Sequence, residues 1–291
     1  MIVGPTAVGK TVLAIDLAEA LGTEIISADS RQFYREMTIG TAKPTPQELD
    51  RVKHHFINSH SIAERYDAAQ FSEEALTKIY ELFEKYNDVI VCGGSGLYIK
   101  ALVEGFDDIP EVPDEIRESV TTNYKAYGLT WLQQTVQKLD PEYYRIADNQ
   151  NPARLSRALE VVWATGKSIT SFQKKQKRIL PFTVIKIGLE LERDELYRRI
   201  DERMDTMIEA GLFEEAEKLY PYREHNALQT VGYQEIFDFM EGKYDREEAI
   251  RLLKRNSRRY AKRQLTWFKR DEDITWFSKA DGNELVRFLN R

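Results

Sequence analysis

Apolar positions along this chain follow two rhythms. Short, nearly continuous runs at Met1–Val3, Glu24–Ala28, Asp88–Cys92 and Thr183–Leu189 read as strands covered on both faces, and a further candidate surrounds His55-Phe56-Ile57. Between them Phe71, Ala75, Ile79, Leu82, Phe83 and Tyr86 recur at helical spacing, which predicts a helix over 68–86 with Asp67 as its cap. Helices are also predicted from residue 10 to Leu21 with Gly22 as the stop, from Leu97, over 194–210 before Gly211, and over 246–265. Strand, glycine-rich turn and helix in repetition define an α/β fold, a parallel sheet flanked by helices. Residues 113–180 break the rhythm: they offer helices and no buried strand, with Pro110 and Pro113 before them and Pro181 after. The expected organisation is a core of 1–112 and 181–291 with an all-helical insertion at 113–180. Three residues are few for a buried first strand, which points to native residues upstream.

Composition narrows the class. In 291 residues, 42% hydrophobic and 31% charged, no apolar run approaches the roughly 20 residues of a membrane span. No secretory signal is visible, and a single cysteine, Cys92, suits a reducing cytoplasm and a buried structural role. Charge is uneven. Residues 251–270 hold nine Lys/Arg and no acid, so the rest of the chain sums to −15 although the whole stands at −6. Arg251, Lys254, Arg255, Arg258, Arg259, Lys262 and Arg263 fall on one half of a helix. Seven cations without counter-charge repel one another, and a phosphate backbone would relieve that repulsion.

The chemistry-bearing motif comes first in the chain. Gly4-Pro5-Thr6-Ala7-Val8-Gly9-Lys10-Thr11 matches the G-x-x-x-x-G-K-[ST] phosphate loop between a strand and a helix. Its glycines let successive N–H groups face phosphate oxygens, Lys10 adds a full charge, and the Thr11 hydroxyl suits Mg²⁺. Asp29 and Ser30 end the next strand, where open α/β sheets bind ligands; Asp29 would act on Mg²⁺ or as a general base, against a plain turn role. Gly93-Gly94-Ser95-Gly96 starts a helix at the same sheet edge, lining the ligand with Ser95 or serving only helix–sheet packing. Arg203 lies within about 20° of Leu196 on the apolar stripe of its helix, pairing either with an anionic ligand or with a buried carboxylate. His54-His55 lacks a third ligand at metal spacing, and no C-x-x-C is present, so neither suggests zinc.

Together these segments resemble the tRNA dimethylallyltransferases (tRNA isopentenyltransferases). The resemblance rests on GPTAVGKT at 4–11, DSRQFYREMTIGTAKPT at 29–45, HHFI at 54–57, GGSGLYIKAL at 93–102, RLSRALEV at 154–161, RRIDERMDTMIEAGL at 198–212, VGYQEI at 231–236 and RRYAKRQLTWF at 258–268. It implies a P-loop kinase-like core and transfer of a dimethylallyl group from dimethylallyl diphosphate to N6 of adenosine 37 of tRNA, with Mg²⁺. It further implies Asp29 as the base, Lys10, Arg203 and Ser95 in the catalytic site, and Thr11, with Asp29 as a second candidate, on the metal. Asp29, Ser30, Arg31, Gln32, Ser95, Arg117, Arg154, Arg157, Gln229, Gly232, Tyr233, Arg255, Arg258 and Arg259 become candidate tRNA contacts, with the insertion clasping the anticodon arm of a monomeric enzyme. Ser95 stands where the family usually has Thr, and a C-terminal zinc finger is missing, as in bacterial members. The rivals are an adenylate isopentenyltransferase acting on free nucleotide, a small-molecule kinase, and an RNA-binding GTPase-like module, for which no N-K-x-D sequence is present.

Overall fold

The computed structural model describes residues 1–107, 109–173, 178–278 and 285. They form two compact units, one of residues 1–103 with 180–291 and one of residues 104–179. The second unit therefore takes in nine residues ahead of position 113.

The first unit is built on a six-stranded, all-parallel sheet of order β3-β2-β4-β1-β5-β6. The strands are β1 (Ile2–Val3), β2 (Ile25–Ser27), β3 (His54–His55), β4 (Ile90–Gly93), β5 (Lys186–Leu189) and β6 (Ile274–Phe277). Side chains alternate across the pleat. Ile2, Ile25 and Ile90 enter the core on one face, and Val3, Ile26 and Val91 enter the core on the other, so both faces are apolar. The helices are α1 (Lys10–Leu21), α2 (Pro46–Arg51), α3 (Ala68–Phe83), α4 (Gly96–Glu104), then, beyond the second unit, α8 (Arg193–Glu209), α9 (Leu212–Leu219), α10 (Gln234–Met240) and α11 (Arg246–Phe268). Asp67 caps α3 as its position predicts, accepting from the Ala69 and Gln70 amides at 2.9 and 3.1 Å. The strand predicted over Thr183–Leu189 is confined to Lys186–Leu189. Strand β6, Ile274-Thr275-Trp276-Phe277, is not among the predicted strands although its letters favour one; it is a four-residue edge strand with three residues partly or fully exposed.

The second unit holds α5 (Asp114–Leu139), α6 (Pro141–Ile146) and α7 (Pro152–Thr165), with no strand among its described residues. Helix α5 is broken at Gly128, whose φ of 72° only glycine adopts without strain. Val120, Leu132 and Val136 pack on Leu155, Ala158 and Leu159. Asp140 is buried, caps α6 through the Tyr143 amide at 3.1 Å and accepts from the Ser168 hydroxyl at 2.8 Å.

Candidate active site

The carboxyl ends of β1, β2 and β4 deliver three loops to one edge of the sheet, the place where open α/β sheets bind ligands. The loop after β1 is the phosphate loop. Gly4, Ala7 and Gly9 take positive φ of 146°, 64° and 106°, and a Cβ on Gly4 would lie 2.6 Å from the Leu189 carbonyl oxygen. That curl turns the backbone toward the start of α1, whose first residue is Lys10. The Lys10 ammonium donates to the Pro5 carbonyl at 2.7 Å, folded over its own loop.

A cavity of about 160 Å³ opens there. Its wall is made by Thr6, Ala7, Lys10 and Thr11, by Asp29, Arg31 and Gln32 after β2, by Gly40–Ala42, by Arg203 and Met204 of α8, by Thr230–Gly232, and by Ser257, Tyr260 and Gln264 of α11. Lys10, Arg31 and Arg203 face one carboxylate, Asp29, so the cavity is cationic. Burial holds the Lys10 pKa down at about 8, against the opposing pull of the Asp29 carboxylate. Burial likewise lowers Arg203, which stays charged. Cys92 lines the same cavity, but burial pushes its thiol up to about 11, so it stays protonated and is no nucleophile.

Of the two partners left open for Arg203 by the helical wheel, a buried carboxylate is not found in hydrogen-bond contact with it among the described residues. Its hydrogen bonds go to the Thr6 hydroxyl at 3.3 Å and the Ala42 carbonyl at 3.4 Å. An unpaired guanidinium beside a phosphate loop suits an anionic ligand. Gln32 donates to the Thr41 and Ala42 carbonyls at 3.3 and 3.2 Å, tying the loop after β2 to the 40–42 wall. Asp29 accepts from the Arg31 amide at 3.0 Å, an Asx turn that fixes its carboxylate at the cavity.

Ser95 sits one layer behind. It is buried, accepts from the Ser30 amide at 2.8 Å and donates to the Ser30 hydroxyl at 3.1 Å, anchoring the Asp29–Ser30 loop and not lining the cavity. The glycines beside it are there for close packing. Added Cβ atoms would lie 2.2 Å from the Ala28 carbonyl oxygen at Gly93, 2.4 Å from Gln264 Nε2 at Gly94, and 2.2 Å from Trp267 Cδ1 at Gly96.

Two further side chains shape the cavity and carry no sequence signal. Glu215 accepts from the consecutive amides of Thr38, Ile39 and Gly40 at 3.0, 2.8 and 2.9 Å and from the Tyr233 hydroxyl at 2.6 Å, clamping the loop that forms one wall. Gln264, hidden inside the basic run, accepts from the Thr6 amide at 2.8 Å and donates to the Gly94 carbonyl at 2.9 Å.

The basic helix needs correction. Its cations are not free of counter-charge: Arg251 pairs with Glu248, Lys254 with Asp205 and Arg258 with Asp201, each at 2.6 Å. The last two acids come from α8, which packs against α11 and neutralises the flank turned toward it. Arg255 donates to Asn256 Oδ1 at 3.2 Å. Arg259, Lys262 and Arg263 are exposed and, with Trp267 and Arg270, line a shallow surface groove. Tyr233 is also corrected: it is fully buried, its ring lies against Gly40 and its hydroxyl is bonded to Glu215, so its side chain offers no surface to RNA. Gly232 borders the cavity and its amide donates to Glu235 at 2.9 Å, while Gln229 is exposed. In the helical unit Arg154 is exposed, Arg117 donates to the Val112 carbonyl at 3.1 Å and Arg157 pairs with Glu160 at 3.3 Å. No helix among the described residues is long and apolar enough to cross a membrane.

A parallel sheet whose first strand runs into a phosphate loop, with Lys10, Arg31 and Arg203 lining a cationic cavity at the sheet edge, defines a P-loop kinase-like α/β protein. Residues 32–271 match the family described as IPP transferase. A tRNA dimethylallyltransferase of Cytophaga hutchinsonii is 51% identical over 99% of this chain and 95% of its own length. One of Christiangramia forsetii is 52% identical over 98% and 94%. The crystal structure of the tRNA isopentenylpyrophosphate transferase of Bacillus halodurans superposes with a TM-score of 0.72 at 40% identity, covering 99% of this chain and 93% of that one. A eukaryotic dimethylallyltransferase captured acting on tRNA gives a TM-score of 0.77 at 27% identity, over 99% and 74%. The chain belongs to the IPP transferase family and is a prenyltransferase.

Proposed function

We propose that the enzyme transfers the dimethylallyl group of dimethylallyl diphosphate to N6 of adenosine 37 in tRNA, acting as a monomer in the cytoplasm. The observation that carries this reading is the two-sidedness of α11. Its inner face lines the cationic cavity with Tyr260 and Gln264, and its outer face presents Arg259, Lys262 and Arg263 along the groove with Trp267. A helix serving only a small-molecule site has no need of an exposed cationic row, whereas a row of cations with an aromatic side chain suits a nucleic-acid backbone and an unpaired base.

The chemistry then assigns roles. The phosphate loop, Lys10 and Arg203 hold the diphosphate as a leaving group and take up the charge that grows as the bond between C1 and its bridging oxygen breaks. N6 forms the new bond to C1, and its proton passes to the Asp29 carboxylate, which the Asx turn aims into the cavity. Ser30, Arg31 and Gln32 continue that loop and would contact the adenosine, which leaves its stack to enter. Ser95 keeps the loop in place from behind. Arg117, Arg154 and Arg157 of the helical unit would meet the anticodon arm. Thr11 and Asp29, hard oxygen donors on one cavity wall, fit Mg²⁺, which keeps most of its shell as water and phosphate oxygen; the described residues hold no cluster of three or more His, Cys, Asp or Glu side chains to replace that shell. When bound, the ion would neutralise diphosphate charge.

The test offers dimethylallyl diphosphate labelled in its prenyl group with three acceptors: unmodified tRNA bearing adenosine 37, the same tRNA with guanosine there, and AMP. Label in the first alone supports the reading. Label in AMP with tRNA inert would establish the free-nucleotide alternative.

A further inference from the structure

Gln264 lies on the inner face of α11, buried, between the loops that follow β1 and β4. Those strands are neighbours, with Ile2 opposite Cys92 and Val3 opposite Gly93. Its Oε1 accepts from the Thr6 amide at 2.8 Å and its Nε2 donates to the Gly94 carbonyl at 2.9 Å. An amide N–H can only donate and a carbonyl can only accept, so the orientation of the side-chain amide is fixed by its partners. Of the side chains of this length only Gln satisfies both: ionised Glu has no donor for Gly94, and Met serves neither. The seat is tight, since a Cβ on Gly94 would come within 2.4 Å of Nε2. Thr6 is also the residue whose hydroxyl accepts from Arg203 at 3.3 Å. One buried amide therefore ties the near end of the phosphate loop, the turn after β4 and the Arg203 contact to a single helix.

We infer that Gln264 is a positioning residue of the diphosphate site, setting the phosphate loop from α11 without itself touching the reacting atoms. The inference rests on the diphosphate reading of the cavity. It assigns to the inner face of α11 a duty separate from that of its outer cations: loss of Gln264 weakens diphosphate binding and leaves RNA binding alone.

Inorganic pyrophosphate is the probe, titrated calorimetrically into the full chain as wild type, Gln264→Met and Gln264→Glu, with tRNA affinity measured on each by filter binding in the absence of pyrophosphate. Gln264→Met loses both hydrogen bonds; the one that bears on the phosphate loop is the acceptor of the Thr6 amide, and its loss is expected to raise the pyrophosphate Kd about tenfold and KM for the prenyl donor in proportion. Its tRNA Kd stays within about twofold of wild type. Gln264→Glu adds a second readout, because its neutral acid form can again donate to Gly94 and accept from Thr6. Its Kd relative to wild type at the same pH should therefore recover as pH falls from 8 to 5.5, whereas Gln264→Met shows no recovery. The inference is overturned if Gln264→Met binds pyrophosphate within twofold of wild type. It is equally overturned if both variants lose pyrophosphate and tRNA in equal proportion with a lowered Tm, which would make Gln264 a packing residue. A wild-type chain that binds pyrophosphate but prenylates no tRNA would defeat the proposed function and leave these outcomes able to decide the role of Gln264.

Discussion

Replacing Arg259, Lys262 and Arg263 together with Gln should remove most of the share that α11 contributes to the salt dependence of tRNA binding. The structure sets the size of the effect. Of the seven cations on one half of α11, Arg251, Lys254 and Arg258 are held by Glu248, Asp205 and Asp201. The exposed Arg259, Lys262 and Arg263, with Arg270 beside them in the groove, are the ones available to phosphates. Each phosphate neutralised on a single strand contributes a log–log slope of about −0.7, so the four cations of the groove contribute about −2.8 and loss of three leaves about −0.7 of that share. Between about 50 and 200 mM salt the groove contacts would then cost the wild type about 50-fold in affinity and the triple variant about 2.6-fold. Filter binding across that range, with unmodified tRNA and no prenyl donor, measures both. The control is the paired variant Asp201→Asn with Arg258→Gln, which removes an ion pair without changing net charge. It should keep the wild-type slope and lower stability by no more than about 1 kcal/mol, since both partners are partly exposed. A triple variant with the wild-type slope, or a paired variant that flattens it as much, would refute the assignment of the outer face.

Asp29→Asn keeps the shape and the Asx turn but removes the proton acceptor, and single-turnover prenylation should slow by roughly 10²–10⁴; a rate near wild type would show that Asp29 only positions. Diphosphate affinity should fall as pH rises through about 8, where buried Lys10 loses its proton, because the anion binds the charged form and so pulls protons onto it. Lys10→Met should bind pyrophosphate weakly at every pH, losing that dependence while tRNA affinity is unchanged; calorimetry from pH 7 to 9 checks both. Gly96→Ala drives a methyl into the Trp267 ring, displaces α11 and should cost about 1–3 kcal/mol in urea unfolding, whereas wild-type stability would mean that the ring yields freely.

What was legible in the sequence was local. The phosphate loop is contiguous, so eight letters define it, and the inward aim of Arg203 follows from helical geometry alone. The apolar runs of β2, β4 and β5 stand out because parallel strands are covered on both faces. What stayed hidden depends on residues distant in the chain. The neutralising acids Asp201 and Asp205 lie about fifty positions before the cations they hold, so the basic run looked unopposed. Gln264 is one polar letter in a charged helix until Thr6 and Gly94 arrive on either side of it. Glu215 gains its meaning from three successive amides some 175 residues away, and Tyr233 from the glycine its ring covers. The GGSG segment was open to a ligand-lining or a packing reading from its letters alone, and the close contacts its glycines permit are with Ala28, Gln264 and Trp267.

The central claim is that the phosphate loop holds a leaving group and donates no phosphoryl group. Dimethylallyl diphosphate carrying one label on C1 and another on the β-phosphorus, turned over with unmodified tRNA, tests it directly. The carbon label is expected in the RNA, on N6 of the adenosine beside the anticodon, and the phosphorus label wholly in free pyrophosphate. Phosphorus label appearing on the RNA or on any other acceptor, with the carbon label left in solution, would contradict it.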